Sequence, residues 1–356
     1  MVRGGGAVTP ETLLGYPVVV GAGVLEQVAA HARRAGLERA VVLCDANVEA
    51  YARRVSAAFA GSVPLRAFRL GEERKTLESL AAVYAALGET EADRRTLVIG
   101  VGGGVAGDLF GFAAATYMRG LPFLNVATSL VAMVDAAIGG KTAIDLPAGK
   151  NLAGAFADPV AVVADVEALR SLPEAQIREG LGEMIKHAIL SGQAAFARLE
   201  ALAGHAFAGW PWSDLVAENV AVKAAVVAGD RLEGGDRERL NLGHTFAHAF
   251  ERASSYQLTH GNAVAVGLRA AGLAALAHGT WSQRDQERLV RLLLAFELPI
   301  AHVGLDVEAV LAAMRMDKKR RDGRLRFVLP RALGEVACGI ELEDAIVREA
   351  VEHCTR

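Results

Sequence analysis

The chain has 356 residues, of which 52% are hydrophobic and 22% charged, and its formal net charge is −3 at pH 7. The length favours two domains, the hydrophobic content excludes a disordered chain, and the slightly acidic charge argues against a general nucleic-acid binder. Three cysteines without ligand spacing, Cys44, Cys338 and Cys354, predict a reducing compartment and no structural disulfide. The chain has no apolar segment typical of a signal peptide or a membrane span, so we expect a cytoplasmic protein without membrane or nucleic-acid partners.

The first part of the chain alternates short strands with alanine-rich helical stretches. Strands are predicted at residues 16–20, 40–44, 96–100, 121–127 and 161–165, and helices at residues 23–35 and 77–87. Such alternation predicts parallel βαβ units and a Rossmann-like parallel sheet. We therefore expect an α/β N-terminal domain over residues 1–170.

After residue 170 the pattern becomes mainly helical. Helices are predicted at residues 174–190, 212–229, 240–253, 263–278, 282–296 and 307–316, with one strand at residues 325–329. We therefore expect a mainly α-helical C-terminal domain over residues 171–356. Because small ligands often bind between domains, we expect the active site in the interdomain cleft.

A glycine-rich turn follows the predicted strand at residues 96–100. The spacing Gly102-x-Gly104-x-x-Gly107 formally matches the dinucleotide-binding fingerprint, in which a helix N-terminus faces a phosphate. The context departs from that fingerprint, because the turn lies in mid-domain and Ala127 stands where an acid for the ribose is expected. Two interpretations stay open: a nucleotide phosphate site, or a tight packing turn between strand and helix.

A second glycine motif, Gly139-Gly-Lys-Thr142, resembles the end of a P-loop. A P-loop also requires a glycine at the position that Asp135 occupies here, so we exclude a nucleoside triphosphatase. Lys141, beside two glycines, remains a candidate for binding a single phosphate or carboxylate.

Histidines in the helical part suggest a metal site. His244 and His248 are spaced i and i+4, but Thr245 replaces the glutamate that a zinc protease with this pattern requires. Arg237 and Asn241 extend the same predicted helical face, which indicates a polar stripe lining a cavity, or alternatively a solvated surface.

Glu183, Lys186 and His187 lie at i, i+3 and i+4 on another predicted helix, and His260 lies just before a third. Two histidines and a carboxylate are the usual ligands of catalytic zinc, so Glu183, His244 and His260 form a candidate set. The alternatives are a surface ion pair for Glu183 and structural roles for the histidines.

Lysine is scarce in this chain, because 31 of its 38 basic residues are arginine. The seven lysines are Lys75, Lys141, Lys150, Lys186, Lys223, Lys318 and Lys319. An ammonium is a compact charge with an adjustable pKa, unlike a guanidinium, so these lysines are candidates for special positions such as anion sites. Biased codon usage is the alternative explanation.

Together, these motifs resemble the 3-dehydroquinate synthases over roughly residues 45–330. The segments that carry the resemblance are residues 102–108, 129–142, 149–156, 179–186, 241–248 and 260–264. The resemblance implies a homodimeric lyase of the shikimate pathway and aromatic amino acid biosynthesis, dependent on NAD and on zinc or cobalt. It would convert 3-deoxy-D-arabino-heptulosonate 7-phosphate to 3-dehydroquinate and phosphate by transient oxidation with NAD, phosphate elimination, reduction, ring opening and internal aldol closure.

The resemblance also assigns roles to individual residues. It implies metal ligation by Glu183, His244 and His260. It implies NAD contacts from Asp45, Asn47, Gly71, Glu72, Lys75, Gly103, Gly104, Val105, Asp108, Thr128, Ser129, Lys141, Lys150, Ser171 and Leu172. It implies catalytic or substrate contacts from Arg119, Asp135, Lys141, Lys150, Asn151, Lys186, Lys223, Arg237, Asn241, His248, Lys318 and Lys319. Within this last set, Arg237 suits a carboxylate, and His248 and Asn241 are candidates for proton handling and enol orientation.

Two positions depart from the family pattern. Ser129 replaces a threonine but keeps the hydroxyl group, so little change is expected. Asp145 follows the Lys141-Thr142 pair and would repel an anionic ligand if it faced one, so we expect it to point away.

Three other functions are weighed against this one. Another sugar-phosphate cyclase, such as one acting on sedoheptulose 7-phosphate, would not need the set Lys223, Arg237 and Asn241, which favours a carboxylated substrate. A metal-dependent polyol dehydrogenase would not need so many lysines. An NAD-binding module without activity would have no reason to align polar residues with His244 and His248 on one face.

Overall fold

The computed structural model describes residues 13–61, 63–315 and 325–356. Two compact units make up the chain. The first comprises the described residues up to Pro173 together with Pro211–Ala228, and the second comprises Glu174–Trp210 and the described residues of Gly229–Arg356. Residues 211–228, which the sequence pattern places in the C-terminal domain, therefore group with the first unit.

A six-stranded sheet forms the centre of the first unit. Its strands are β1 (Val18–Gly21), β2 (Arg39–Asp45), β3 (Leu65–Phe68), β4 (Thr96–Gly102), β5 (Phe123–Ala127) and β8 (Val162–Asp165), in the spatial order β1-β8-β5-β4-β2-β3. Every neighbouring pair runs parallel. The predicted Rossmann-like parallel sheet is therefore confirmed. The edge strand β3 is half-exposed, which explains its weak hydrophobic signal.

Helices cover both faces of this sheet. They are α1 (Gln27–Arg34), α2 (Glu49–Ala57), α3 (Leu77–Glu89) and α4 (Gly104–Thr116), and a further helix, α7 (Trp212–Gly229), also groups with this unit. Successive residues of β2 face opposite ways, so that Val41 and Leu43 join one buried cluster and Val42 and Cys44 join another. Helices α3 and α4 contribute to the first cluster, and α1 and α2 to the second.

A two-stranded antiparallel hairpin, β6 (Lys141–Leu146) and β7 (Gly149–Phe156), adds to the first unit. The sequence pattern did not predict it, because alanine and glycine supply much of β7 and leave little β-branched signal. Gly154 permits the close pairing, since a Cβ there would lie 2.3 Å from the carbonyl oxygen of Thr142.

The second unit is mainly helical, as predicted. It contains α5 (Glu174–Ser191), α6 (Gln193–Leu202), α8 (His244–Ala253), α9 (His260–Ala277), α10 (Gln283–Ala295), α11 (Val307–Arg315), the hairpin β9 (Phe327–Ala332) and β10 (Glu335–Ile340), and α12 (Asp344–Thr355). The buried helix α9 packs against α5, α8, α10 and α12. Within the described ranges, no helix is both long enough and apolar enough to cross a bilayer.

The predicted helix at residues 240–253 is wrong at its start. Residues Asp236–Asn241 form a short 3-10 helix, and α8 begins only at His244. Between them Gly243 has a φ of +78°, and a Cβ there would lie 2.9 Å from the backbone nitrogen of Leu268. Glycine is required at such a left-handed, tightly packed position, so the chain changes direction there. The polar stripe expected on one helical face is therefore divided between two elements.

Candidate functional site

Glu183, His244 and His260 converge in the second unit. Their possible ligand atoms all lie within 4.8 Å of one another. Oε1 of Glu183 lies 3.1 Å from Nε2 of His260 and 3.4 Å from Nε2 of His244. Glu183 is fully buried, and the two histidines are the first residues of α9 and α8. The predicted ligand triad is therefore brought together, and the surface ion-pair interpretation of Glu183 is wrong.

Glycines beside two of these residues explain how the helices approach so closely. Gly182 precedes Glu183, and a Cβ there would lie 2.6 Å from the carbonyl oxygen of Gly261. Gly261 follows His260, and a Cβ there would lie 2.2 Å from the carbonyl oxygen of Glu179. Any larger side chain at either position would force α5 and the start of α9 apart and separate Glu183 from His260.

Electrostatics keep Glu183 ionised. Burial alone would raise the pKa of Glu183, but the Lys186 ammonium and the two histidines hold it well below its usual value. Nζ of Lys186 lies 2.5 Å from Oε2 of Glu183, and both side chains are almost completely buried. Lys186 is thus positioned at the ligand cluster, as the sequence predicts for this lysine.

The two histidines differ in their protonation. Burial and then the charge of Lys186 lower the pKa of His244, which favours the neutral ring that a metal requires. Burial also disfavours a charged His260, but the nearby carboxylates of Glu183 and Glu251 raise its pKa to about 10. A cation bound between these groups would displace that proton. One carboxylate and two imidazoles suit zinc or cobalt, so the donor set fits a divalent metal.

Arg237 and Asn241 are held in the second unit by the turn that precedes α8. Asp230 accepts hydrogen bonds from the backbone nitrogens of Gly234 (2.8 Å), Gly235 (2.6 Å) and Arg237 (3.1 Å). The Arg237 side chain is buried and donates to the carbonyl oxygen of Arg231 (2.5 Å). Sequence reasoning missed Asp230, although aspartate and glycine within one short segment are typical turn residues.

Two further polar contacts complete this part of the second unit. Asn241 donates through Nδ2 to Oε1 of Glu233 at 3.0 Å. His248 is exposed, and its ring centre lies 5.5 Å from that of His244. His248 therefore lies beside the ligand cluster on the same helix as His244, which is where a proton-handling group is expected.

The glycine turn in the first unit shows the tight packing of one interpretation and keeps the phosphate site of the other as a prediction. A Cβ on Gly102 would lie 2.4 Å from Cβ of Ala106, so this glycine is required for packing. Gly103 and Gly104 instead mark the N-terminus of the 13-residue helix α4, whose free backbone N–H groups favour an anion. The turn lines a small cleft together with Asn125, Val126, Ala127, Ala132 and Ala137.

An acidic residue does stand beside this turn, although Ala127 does not supply it. Asp45 ends β2, the strand next to β4, and its Cβ lies 3.5 Å from the position of a Cβ on Gly102. Its side chain accepts a hydrogen bond from the backbone nitrogen of Asn47 (3.0 Å). The acid beside this turn therefore comes from a strand that precedes the turn in the chain, and not from the position after it that the fingerprint uses. The strand order, rather than any spacing, brings it there.

Lys75 contacts two other predicted site residues of the first unit, Asp108 and Asn151. Its Nζ lies 2.5 Å from Oδ2 of Asp108 and 2.5 Å from Oδ1 of Asn151. Burial alone would lower the pKa of Lys75, but the carboxylates of Asp108 and Glu72 raise it above its usual value. Oδ1 of Asp145 accepts a hydrogen bond from the backbone nitrogen of Asn151 (2.7 Å), so this carboxylate is engaged within the β6–β7 hairpin.

Lys223 and Asp135 also meet within the first unit. Nζ of Lys223 lies 2.7 Å from both the carbonyl oxygen and Oδ1 of Asp135, which lies on a π-helical turn (Ala132–Ala136). Gly139 and Gly140 have left-handed φ angles of 98° and 65°, and lead into a strand rather than a helix. The exclusion of a P-loop is therefore confirmed, since that motif continues into a helix.

The remaining predicted residues are placed as follows. Lys150 pairs with Glu72 at 3.2 Å, Thr128 is buried at the end of β5, and Ser129 accepts a hydrogen bond from Ala132. Gly71 has an extended backbone, and Val105 lies in the first turn of α4. Ser171 and Leu172 follow a 3-10 helix after β8. Arg119 is exposed with a φ of +70°, and Lys141 is exposed at the start of β6. Lys318 and Lys319 lie outside the described residues.

Comparison with known proteins identifies related sequences over nearly the whole chain. Residues 66–179 match the family model of the 3-dehydroquinate synthase N-terminal domain, and residues 180–320 match that of the C-terminal domain. A 3-dehydroquinate synthase of Synechococcus sp. (strain CC9605) is 41% identical over 351 residues, which cover 95% of this chain and 94% of the relative.

Solved structures show the same fold. The 2-epi-5-epi-valiolone synthase of Streptomyces hygroscopicus subsp. jinggangensis 5008, with NAD+ and Zn2+ bound, has a TM-score of 0.84 at 25% identity over 99% of both chains. A 2-deoxy-scyllo-inosose synthase complexed with carbaglucose-6-phosphate, NAD+ and Co2+ has a TM-score of 0.86 at 24% identity, over 95% of this chain and 96% of that chain.

Proposed function

Because the chain belongs to the 3-dehydroquinate synthase family, we propose that it converts 3-deoxy-D-arabino-heptulosonate 7-phosphate to 3-dehydroquinate and phosphate. The observation that carries the proposal is the convergence of Glu183, His244 and His260 in a chain that matches such synthases along nearly its whole length. The enzyme would be a carbon–oxygen lyase of aromatic amino acid biosynthesis in the cytoplasm. Assembly as a homodimer stays a prediction.

NAD and one zinc or cobalt ion are the proposed cofactors. Glu183, His244 and His260 would hold the metal, because their possible ligand atoms all lie within 4.8 Å of one another. Asp45 and the N-terminus of α4 would hold NAD, because they offer a ribose acceptor and a phosphate site side by side. When bound, NAD would accept and return a hydride while the metal polarises the substrate oxygens. The valiolone synthase structure, which has NAD+ and Zn2+ bound, supports this pair.

The side chains of this chain would supply binding and proton transfer. Arg237 can hold the substrate carboxylate with two parallel hydrogen bonds, which a lysine cannot do. Lys141 and Lys150 are suited to the phosphate as point charges. His248 is the candidate for moving a proton at the substrate, because it is exposed yet beside His244.

The proposal is tested by measuring inorganic phosphate released from the heptulosonate phosphate in the presence of NAD and zinc or cobalt. We expect release without net accumulation of NADH, and its loss after treatment with a chelator. The Glu183→Gln variant should lose activity and tightly bound metal together. As a matched control, Glu200→Gln alters an ion pair with Arg288 on other helices of the same unit and should keep both.

Two outcomes would contradict the proposal. Phosphate release from sedoheptulose 7-phosphate but not from the heptulosonate would assign a different cyclase activity. Steady accumulation of NADH with a simple polyol would assign a dehydrogenase.

A further inference from the structure

Both histidines of the ligand cluster present the same ring nitrogen to Glu183. Nε2 of His244 lies 3.4 Å from Oε1 of Glu183, and Nε2 of His260 lies 3.1 Å from the same oxygen. The opposite ring nitrogens each face a different acceptor. Nδ1 of His244 lies 3.2 Å from the carbonyl oxygen of Leu242, and Nδ1 of His260 lies 3.6 Å from Oε1 of Glu251.

An acceptor at Nδ1 determines which nitrogen can bind a metal. A neutral imidazole carries one proton, so an acceptor facing Nδ1 keeps that proton there and leaves the Nε2 lone pair for the metal. The separation of Glu251 and His260 exceeds hydrogen-bond length, but a ring shift of about 0.5 Å would close it. The backbone carbonyl performs this role for His244, whereas a side chain faces His260.

His260 depends more on such a partner than His244 does. The His260 side chain is 37% exposed, compared with 11% for His244, so less of its ring is held by packing. Glu251 is 2% exposed and lies two helical turns after His244 on α8. Burying a carboxylate is unfavourable unless it is compensated by partners. One helix therefore carries a ligand and also the carboxylate that faces the ring of a second ligand.

We propose that Glu251 is a positioning residue that orients the His260 ring for metal binding. The proposal rests on the metal dependence of the proposed function. It adds a residue that lies outside the ligand triad and outside every contact implied by the family resemblance. Replacing Glu251 should weaken metal binding while leaving all three ligands in place.

The test is a titration of the metal-free protein with Co2+ alone, followed by visible absorption of the bound ion and by competition with a chelator. We expect Glu251→Leu, which removes the acceptor without leaving a cavity, to raise the Kd for Co2+ by roughly 10- to 100-fold. Glu251→Gln keeps an acceptor oxygen and should recover most of the affinity. If Glu251→Leu does not fold, Glu251→Asp withdraws the carboxylate and carries the same expectation.

Controls separate a positioning role from a structural one. Glu200→Gln should bind Co2+ like the unaltered protein, and metal-free Glu251→Leu should still unfold in a single cooperative urea transition, which shows that its fold is retained. Unaltered Co2+ affinity in Glu251→Leu would overturn the proposal, as would equal losses in the Leu and Gln variants. Because no substrate is present, failure to release phosphate would refute the proposed function without affecting this result.

Discussion

The buried pair of Glu183 and Lys186 allows a quantitative test of the electrostatics of the site. Their side chains are 0% and 2% exposed, and the charged atoms lie 2.5 Å apart. An exposed ion pair contributes about 0–1 kcal/mol, whereas removing one partner of a buried pair costs about 3–5 kcal/mol because the other charge stays buried. We therefore expect Glu183→Gln to lower the free energy of unfolding of the metal-free protein by about 3–5 kcal/mol.

Urea denaturation in the presence of a chelator measures this change. The double variant Glu183→Gln with Lys186→Met should recover most of the lost stability, because it removes the uncompensated ammonium. Glu308→Gln breaks an exposed pair with Arg348 and should leave the unfolding midpoint nearly unchanged. A loss below about 1 kcal/mol in Glu183→Gln, or no recovery in the double variant, would refute the buried-charge reasoning.

Two further predictions concern the turn before α8. Asp230→Ala should raise the KM for the carboxylated substrate more than it lowers kcat, because it loosens the backbone that positions Arg237. Hydrogen bonds from Gly234 and other backbone nitrogens hold the pKa of Asp230 below its usual value. The stability that these hydrogen bonds provide is therefore complete at neutral pH and is lost as the pH falls through that lowered pKa. Steady-state kinetics and urea unfolding at acidic and neutral pH check both effects; a kcat loss alone would count against them. Gly243→Ala should lower the free energy of unfolding by more than the roughly 1–2 kcal/mol of left-handed backbone strain. Gly279→Ala, at a φ of +80° with open space around it, should lower the free energy of unfolding only by that strain. Equal losses in thermal or urea unfolding would contradict the packing argument.

The elements that the sequence predicted well are those with a strong hydrophobic signal. Strand β4 is buried along its whole length, and the predicted strand at residues 96–100 falls within it. Helix α5 spans Glu174–Ser191, against a prediction of residues 174–190. In both elements burial is continuous or periodic over many residues, so local pattern and tertiary structure agree.

The elements that the sequence missed depend on contacts between distant residues. The hairpin β6–β7 is rich in small residues whose pairing is visible only once the strands are side by side. The break before α8 is marked in the sequence by Gly243, but the apolar pattern continues across it. The left-handed turn becomes necessary only because the backbone at Leu268 approaches so closely.

The candidate site shows the same division. Residue types and spacing proposed Glu183, His244 and His260 as a set, because metal chemistry limits the possible donors. No spacing could pair Asp45 with Gly102, since strand order alone brings them together. The sequence did not single out Glu251 for a related reason. A glutamate in a helix is usually a surface residue, and Glu251 is buried only because of the helices around it.

The discontinuity of the first unit has a consequence for synthesis of the protein. Helix α7 belongs to that unit, yet the segment Glu174–Trp210 of the other unit is translated before it. When Pro173 has just emerged from the ribosome, the exposed part of the chain contains every strand of the parallel sheet. It still lacks Lys223, the partner of Asp135. Folding of the first unit is therefore complete only after the segment Glu174–Trp210 of the second unit has also been made, so the two units cannot fold strictly one after the other.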